Sequence, residues 1–317
     1  MENVLVTGGA GYIGIHLVKL LQDSGYNPIV YDLSPSLGDS HVTGNVLNET
    51  LLSETILTHN ISIVCHLAAI KEIGKGKHPA RRYYENNTRG TLSVIKSMLK
   101  CGINRLVFCS SAAVYGSYLS GVDEEACKNP ESDYGYSKLI AEEQIEAFTR
   151  WSDLRCTVLR PFNVGGAHIS GKIGETIESS AIIPSIIRVG FGMDTKFIMH
   201  GADWPTFDGT CIRDYVHVCD VADAHLRAIE HTKKSKFSVF NIGSGYGTSI
   251  MTLLEKIGGI IDKPIRVGVR KKDVSPFSLA VVDKAKSELN WLPSMSDIDK
   301  IVLTAFGWHK GVKGCLT

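Results

Sequence analysis

Tyr134 and Lys138 stand four apart in Tyr134-Gly135-Tyr136-Ser137-Lys138, a spacing that puts both side chains on one face of a helix. A phenol with an ordinary pKa of ~10 is a poor base at neutral pH, but a neighbouring ammonium favours its phenolate. Ser111, within Cys109-Ser110-Ser111-Ala112-Ala113-Val114-Tyr115-Gly116, adds a hydroxyl able to bond the same substrate oxygen that the phenolate deprotonates. Together they describe a site that removes a proton from a hydroxyl group. Either fragment alone has a plainer reading, a surface helix or a serine capping a strand-end turn. The elements around them decide between the two.

Val4 to Thr7 reads as a strand running into Gly8-Gly9-Ala10-Gly11-Tyr12-Ile13-Gly14 and then an amphipathic helix. Glycines there permit a tight turn and let backbone N–H groups at a helix N-terminus approach a pyrophosphate. Gly9, Gly11 and Gly14 satisfy GxGxxG; Gly8, Gly11 and Gly14 satisfy GxxGxxG. Asp32 closes the second strand, where a carboxylate accepts from adenosine ribose hydroxyls and repels a 2′-phosphate. No Lys or Arg lies between Leu33 and His41, so NAD is favoured over NADP. A nicotinamide cation would be a second charge favouring the Tyr134 phenolate. Ser111 falls at the end of the fourth strand, where ligands of open α/β sheets gather.

Strand-like runs at 3–7, 28–31, 61–66, 105–110 and 157–159 alternate with helical patterns at 13–24, 51–59, 83–100 and 134–150. This rhythm predicts an α/β fold, a Rossmann-type doubly wound parallel sheet. After Asn163 it breaks into GGAHISGKIGETIESS, a long functional loop or a boundary. At ~150 residues per domain, 317 residues predict about two. We expect a cofactor domain over 1–163, with a return segment near 214–243, and a smaller mixed α/β C-terminal substrate domain over 164–317. The 34 Lys and Arg against 33 Asp and Glu give a net charge of +1, which predicts no attraction to nucleic acid or anionic lipid. No apolar run approaches the ~18 residues of a membrane span, and the opening MENVLVTGG has no secretion signal, so a cytoplasmic protein is expected. Eight cysteines without a CxxC pair read as core residues, and 11 histidines show no metal-ligand spacing.

These motifs, with Leu159-Arg160-Pro161-Phe162-Asn163, Gly166-Ala167-His168 and the segment from Trp204 to Val218 containing PTFDGTCIRDYVHV, resemble the extended short-chain dehydrogenases. Within them the chain most resembles the UDP-glucose 4-epimerases (UDP-galactose 4-epimerases), nearly end to end. The resemblance implies that Ser111, Tyr134 and Lys138 are catalytic and that NAD stays bound through each turnover. It places Tyr12 and Ile13 on the pyrophosphate, Asp32 on the ribose, Asn45 and Val46 by the adenine, and Leu67, Ala68, Ala69, Lys71 and Asn86 along the cofactor. Phe162 would lie near the nicotinamide. For the UDP-glucose or UDP-galactose substrate it implies Asn163, Ile182, Arg213, Arg270, Asp273 and Phe277, the arginines on the diphosphate and Asp273 on the uridine ribose. A homodimer through helices 83–100 and 134–150 is implied as well.

The chain departs from the family pattern at Asn45, at Pro161 and at the Ala181-Ile182 pair. Asn45 replaces an Asp and offers the adenine amine a neutral acceptor. Pro161 replaces a common Tyr at a wall of the hexose pocket. Ala181 and Ile182 stand where many relatives carry Asn-Asn or Asn-Leu against the uridine. The large ring of Phe277 implies preference for hexoses over N-acetylhexosamines. Against a 4,6-dehydratase, the positions after Ser111 are Ala112 and Ala113 rather than an Asp-Glu pair. UDP-N-acetylhexosamine, UDP-uronate and a non-catalytic NAD-binding regulator stand as alternatives.

Overall fold

Val4, Val6, Ile63, Cys65 and Val107 bury on one side of a sheet, while Leu5, Val64, Leu106, Phe108 and Val158 bury on the other. Alternation between two apolar faces is what a parallel sheet covered on both sides requires. The computed structural model describes residues 1–35, 40–71, 79–257, 265–270 and 275–316. Its first part runs β1 (Asn3–Thr7), α1 (Tyr12–Asp23), β2 (Asn27–Asp32), β3 (His41–Thr43), α2 (Glu49–Thr58) and β4 (Ile63–His66). There follow α3 (Pro79–Tyr83), a π-helical stretch (Tyr84–Arg89), α4 (Gly90–Lys100), β5 (Arg105–Cys109), α5 (Asp133–Trp151) and β6 (Arg155–Pro161).

The chain then leaves the sheet through β7 (Asn163–Gly165), α6 (Ile182–Gly190), β8 (Phe197–His200), β9 (Ile212–His217) and α7 (Val218–His231). It returns as β10 (Phe237–Ile242) to complete seven strands in the order β10-β6-β5-β4-β1-β2-β3, all parallel. The order reverses at β1 and β4, and the crevice beyond their C-terminal ends is where such sheets bind ligands. Residues of α1 and α7 pack on one face; those of α2, α4 and α5 pack on the other.

The remainder comprises β11 (Gly247–Ser249), α8 (Ile250–Ile257), β12 (Ile265–Gly268), β13 (Phe277–Ser278), α9 (Asp283–Glu288) and α10 (Ile298–Leu316). β9 pairs with β7, β11 and β13, β8 pairs with β12, and a separate small core forms around Ile186, Phe197, Leu253 and Ile301. Among the described residues no helix is long and apolar enough to cross a membrane. Cys65, Cys109, Cys156 and Cys211 are buried thiols.

Two elements differ from the sequence expectation. β3 is only three residues long and largely unburied, too short for a periodic signal. The helix expected over 83–100 instead carries a wide turn at Tyr84–Arg89, a device found mostly at functional positions. The turn buries Asn87, whose amide bonds the Ile70 backbone at 2.8 and 3.0 Å and Ser137 Oγ at 3.0 Å.

Candidate active site

The glycine turn is built for close approach. Gly8 has φ of 73°, and a Cβ on Gly14 would lie 2.1 Å from the Gly8 carbonyl oxygen, so neither position accepts a side chain without rearrangement. Gly11 caps α1 without a side-chain acceptor, leaving first-turn amides for an anion. A cavity of about 300 Å³ lies in front, lined by Gly8, Gly11, Asp32, Asn45, Val46, Leu67, Ala68, Ala69 and Asn86 among others and, among the described residues, by no Lys or Arg. Asp32 accepts from Ala10 N at 3.2 Å and Ser34 N at 2.9 Å, which fixes its carboxylate at the cavity edge. Glycines that a Cβ would block, first-turn amides and one carboxylate with no opposing cation among the described residues fit an NAD better than an NADP.

Other expected cofactor residues sit differently. The Tyr12 hydroxyl donates to the Gly166 carbonyl at 2.6 Å, and neither Tyr12 nor Ile13 lines the cavity. Asn45 Oδ1 accepts from Leu47 N at 2.9 Å, so part of its acceptor capacity goes to its own turn. Lys71 lines the reaction cavity described next rather than this one.

A second cavity, about 470 Å³, is lined by Lys71, Ser111, Tyr134, Pro161, Phe162, Asn163 and Arg213 together with Tyr83, Ser275 and Ser278. Ser132 starts α5 by accepting from Gly135 N at 3.1 Å, and this sets Tyr134 and Lys138 along the helix face that meets the end of β5. Ser111 Oγ accepts from Ala113 N at 3.2 Å and hydrogen-bonds the Tyr134 phenol. Burial pushes the Tyr134 pKa above its ordinary value, Cys109 adds to the rise, and the Ser111 bond opposes it. Burial lowers the Lys138 pKa, against the opposing pull of Cys109 and Glu142. The Lys138 ammonium donates to the Cys109 carbonyl at 2.7 Å and lies 4.8 Å from the Phe108 ring centre.

Arg213 lines the reaction cavity and two further ones of about 200 and 380 Å³, with Ile182 on both of these. Its guanidinium donates to the carbonyls of Ile212 and Ser275 at 2.8 and 2.7 Å. Asn163 donates to the Asp214 carbonyl at 3.1 Å, and Ala181 lines the smaller cavity. Arg270 is not brought to these walls: it pairs with Asp203 at 2.6 Å and stacks 4.6 Å over Trp204. Phe277 is likewise absent from the lining, which takes Ser275 and Ser278 from either side of it. Asp273 lies outside the described residues. Sequence reasoning missed Tyr83, Glu175, Arg188 and Tyr215 as cavity walls, since no spacing motif marks them. It also left unexplained Asp214, whose buried carboxylate gathers Ser244, Gly245 and Ala280 amides at 2.6 to 3.1 Å and so ties β9 to the loops around it. Among the described residues no His, Cys, Asp and Glu group is arranged for a metal.

Residues 4–243 match the NAD dependent epimerase/dehydratase family. A UDP-glucose 4-epimerase of Rhizobium leguminosarum bv. trifolii is 37% identical over 322 residues, covering 97% of each chain. Among solved structures, the UDP-glucose-4-epimerase of Stenotrophomonas maltophila, with bound NAD and formylated UDP-arabinopyranose, aligns with a TM-score of 0.93 and 31% identity over 99% of this chain and 100% of that one. The UDP-glucose 4-epimerase of Brucella ovis, in complex with NAD, gives 0.90 and 36% over 97% and 99%. With a family match over most of its length and relatives of this similarity, the chain belongs to the NAD-dependent epimerase/dehydratase family.

Proposed function

We propose that this chain, an isomerase of the UDP-glucose 4-epimerase type, interconverts UDP-galactose and UDP-glucose by inverting C4 through a transient 4-keto sugar. The observation that carries it is the single cavity on which Ser111, Tyr134, Phe162, Asn163 and Arg213 converge. When bound, NAD supplies the hydride acceptor and donor for C4. The glycine-turn amides hold its pyrophosphate and Asp32 its ribose. Tyr134 takes the proton of the sugar 4-hydroxyl. Ser111, with an oxygen lone pair occupied by the Ala113 amide, offers its own proton to that sugar oxygen. Lys138 contributes a buried positive charge on the Tyr134 face of α5, favouring the phenolate.

Inversion requires the ketone to turn about its link to the diphosphate, so UDP must be held firmly and the hexose loosely. Arg213 is the cation for the diphosphate, with Asn163 beside it and Ile182 on the nucleoside side. Residues 1–163 with 214–243 form the NAD-binding part, and the rest of 164–317 forms the UDP-sugar part. The protein acts in the cytoplasm as a homodimer through α4 and α5, where Tyr136 and Trp151 are exposed.

The test is conversion of UDP-galactose to UDP-glucose by purified protein without added NAD, with Tyr134→Phe as control. Conversion that disappears in the variant supports the reading and a retained cofactor. No conversion, even with NAD supplied, overturns it and directs assays to UDP-N-acetylhexosamines and UDP-uronates.

A further inference from the structure

A hydroxyl that donates to a reacting oxygen must be aimed, and the residue before Ser111 is tied down in an unusual way. Ser110 is buried and donates its own hydroxyl to the Glu142 carboxylate. Glu142 lies on α5 four residues after Lys138 and eight after Tyr134, so the three share one helix face. Arg160, on β6 two residues before Phe162, closes a fork on the same carboxylate, Nε to Oε1 at 3.0 Å and Nη2 to Oε2 at 2.7 Å. Its Nη1 donates to the Tyr115 hydroxyl at 2.7 Å and to the Glu124 carbonyl at 3.4 Å, and the Tyr115 hydroxyl donates to Asn241 Oδ1 on β10 at 2.6 Å.

All five side chains are buried, and none lines the reaction cavity. A buried ion pair contributes little net stability compared with apolar residues of equal volume, because desolvation offsets the attraction. This one joins the three elements that carry the chemistry: the β5 end bearing Ser111, the helix bearing Tyr134 and Lys138, and the strand leading to Phe162 and Asn163. Specificity of geometry is a better account of it than stability.

We propose that Ser110 and Glu142 are positioning residues for the reaction: their hydrogen bond, with Arg160 orienting the carboxylate, sets the strand end from which Ser111 faces Tyr134. This rests on the epimerase reading above. Neither residue touches substrate or cofactor, so their effect reaches the reaction only through Ser111 and α5.

Ser110→Ala deletes one hydroxyl and leaves the Glu142–Arg160 pair whole. In the full-length, NAD-loaded enzyme assayed with UDP-galactose, kcat is expected to fall about tenfold or more, since small misplacements at a reacting centre are costly in rate. KM stays within about twofold because the UDP contacts are untouched, and Ser110→Thr, which keeps the hydroxyl, recovers most of the rate. A hydroxyl with a merely structural role lowers the melting temperature and leaves the kcat of the NAD-loaded protein unchanged; that result overturns the assignment. Where the alanine variant fails to fold, Ser110→Cys keeps the volume with a weaker donor and is read in the same way. An active wild type with an unimpaired variant overturns this inference alone, whereas an inactive wild type overturns the epimerase reading and this inference with it.

Discussion

The Gly14 Cα lies so close to the Gly8 carbonyl that one added methyl group must displace backbone. Gly14→Ala is expected to lose about 1–3 kcal/mol of stability from overpacking and to purify without nicotinamide cofactor, seen in a melt and in cofactor released on denaturation. Asp32→Ala removes a carboxylate held by two amides and is expected to weaken NAD binding by ~1.5–3 kcal/mol, about tenfold to a hundredfold, measured by titration of cofactor-stripped protein. Gly14 was legible from sequence because a glycine spacing along one turn states its own geometry, and Asp32 because it closes the strand that follows that turn's helix. The same holds for Tyr134 and Lys138, one helical turn apart. Arg270 and Phe277 were not legible in this way. Their positions depend on partners distant in sequence, Trp204 beneath Arg270 and β9 beside Phe277, and no local period encodes those contacts.

Elements set the angle between these groups. Gly135 sits where α5 meets the turn after Ser111, and a Cβ there would lie 2.4 Å from the Ala113 carbonyl oxygen. Gly135→Ala therefore pushes the helix from Ser111 and should cut UDP-galactose turnover without altering any reacting group. Capping offers a matched pair of variants. Ser132→Ala and Asn48→Ala each remove one N-cap acceptor, bonded at 3.1 Å in both cases, and each should cost about 1 kcal/mol in denaturant unfolding. Only the first, at the head of α5, should also slow turnover. The alternation of strands and helices was readable because both faces of the sheet are apolar. The wide turn at Tyr84–Arg89 was not, because what selects it is Asn87 reaching across to Ile70 and Ser137, two contacts distant in sequence.

At the scale of the whole molecule, burial lowers the pKa of six of the described histidines, His231 among them. The pKa of His66 falls to about 3, and those of His16, His217, His225 and His309 to about 4, each chiefly through desolvation. Free imidazole in the unfolded chain titrates near ~6.5, so the unfolded state binds more protons below that pH. This part of the stability is present above ~6.5 and is lost as the pH falls toward about 4, by up to ~1.4 kcal/mol per histidine per unit. The melting temperature should drop steeply between pH 6.5 and 4, and His225→Leu, which removes a buried Nε2 with no hydrogen-bond partner, should flatten that drop. The return of β10 to the edge of the sheet bears on how the chain is made. A ribosome must complete β7, α6, β8, β9 and α7 before β10 can pair with β6, so β6 waits with an open hydrogen-bonding edge for some 75 residues of synthesis. A nascent chain stalled near residue 163 would expose that edge, making this interval the one in which a chaperone has most to protect.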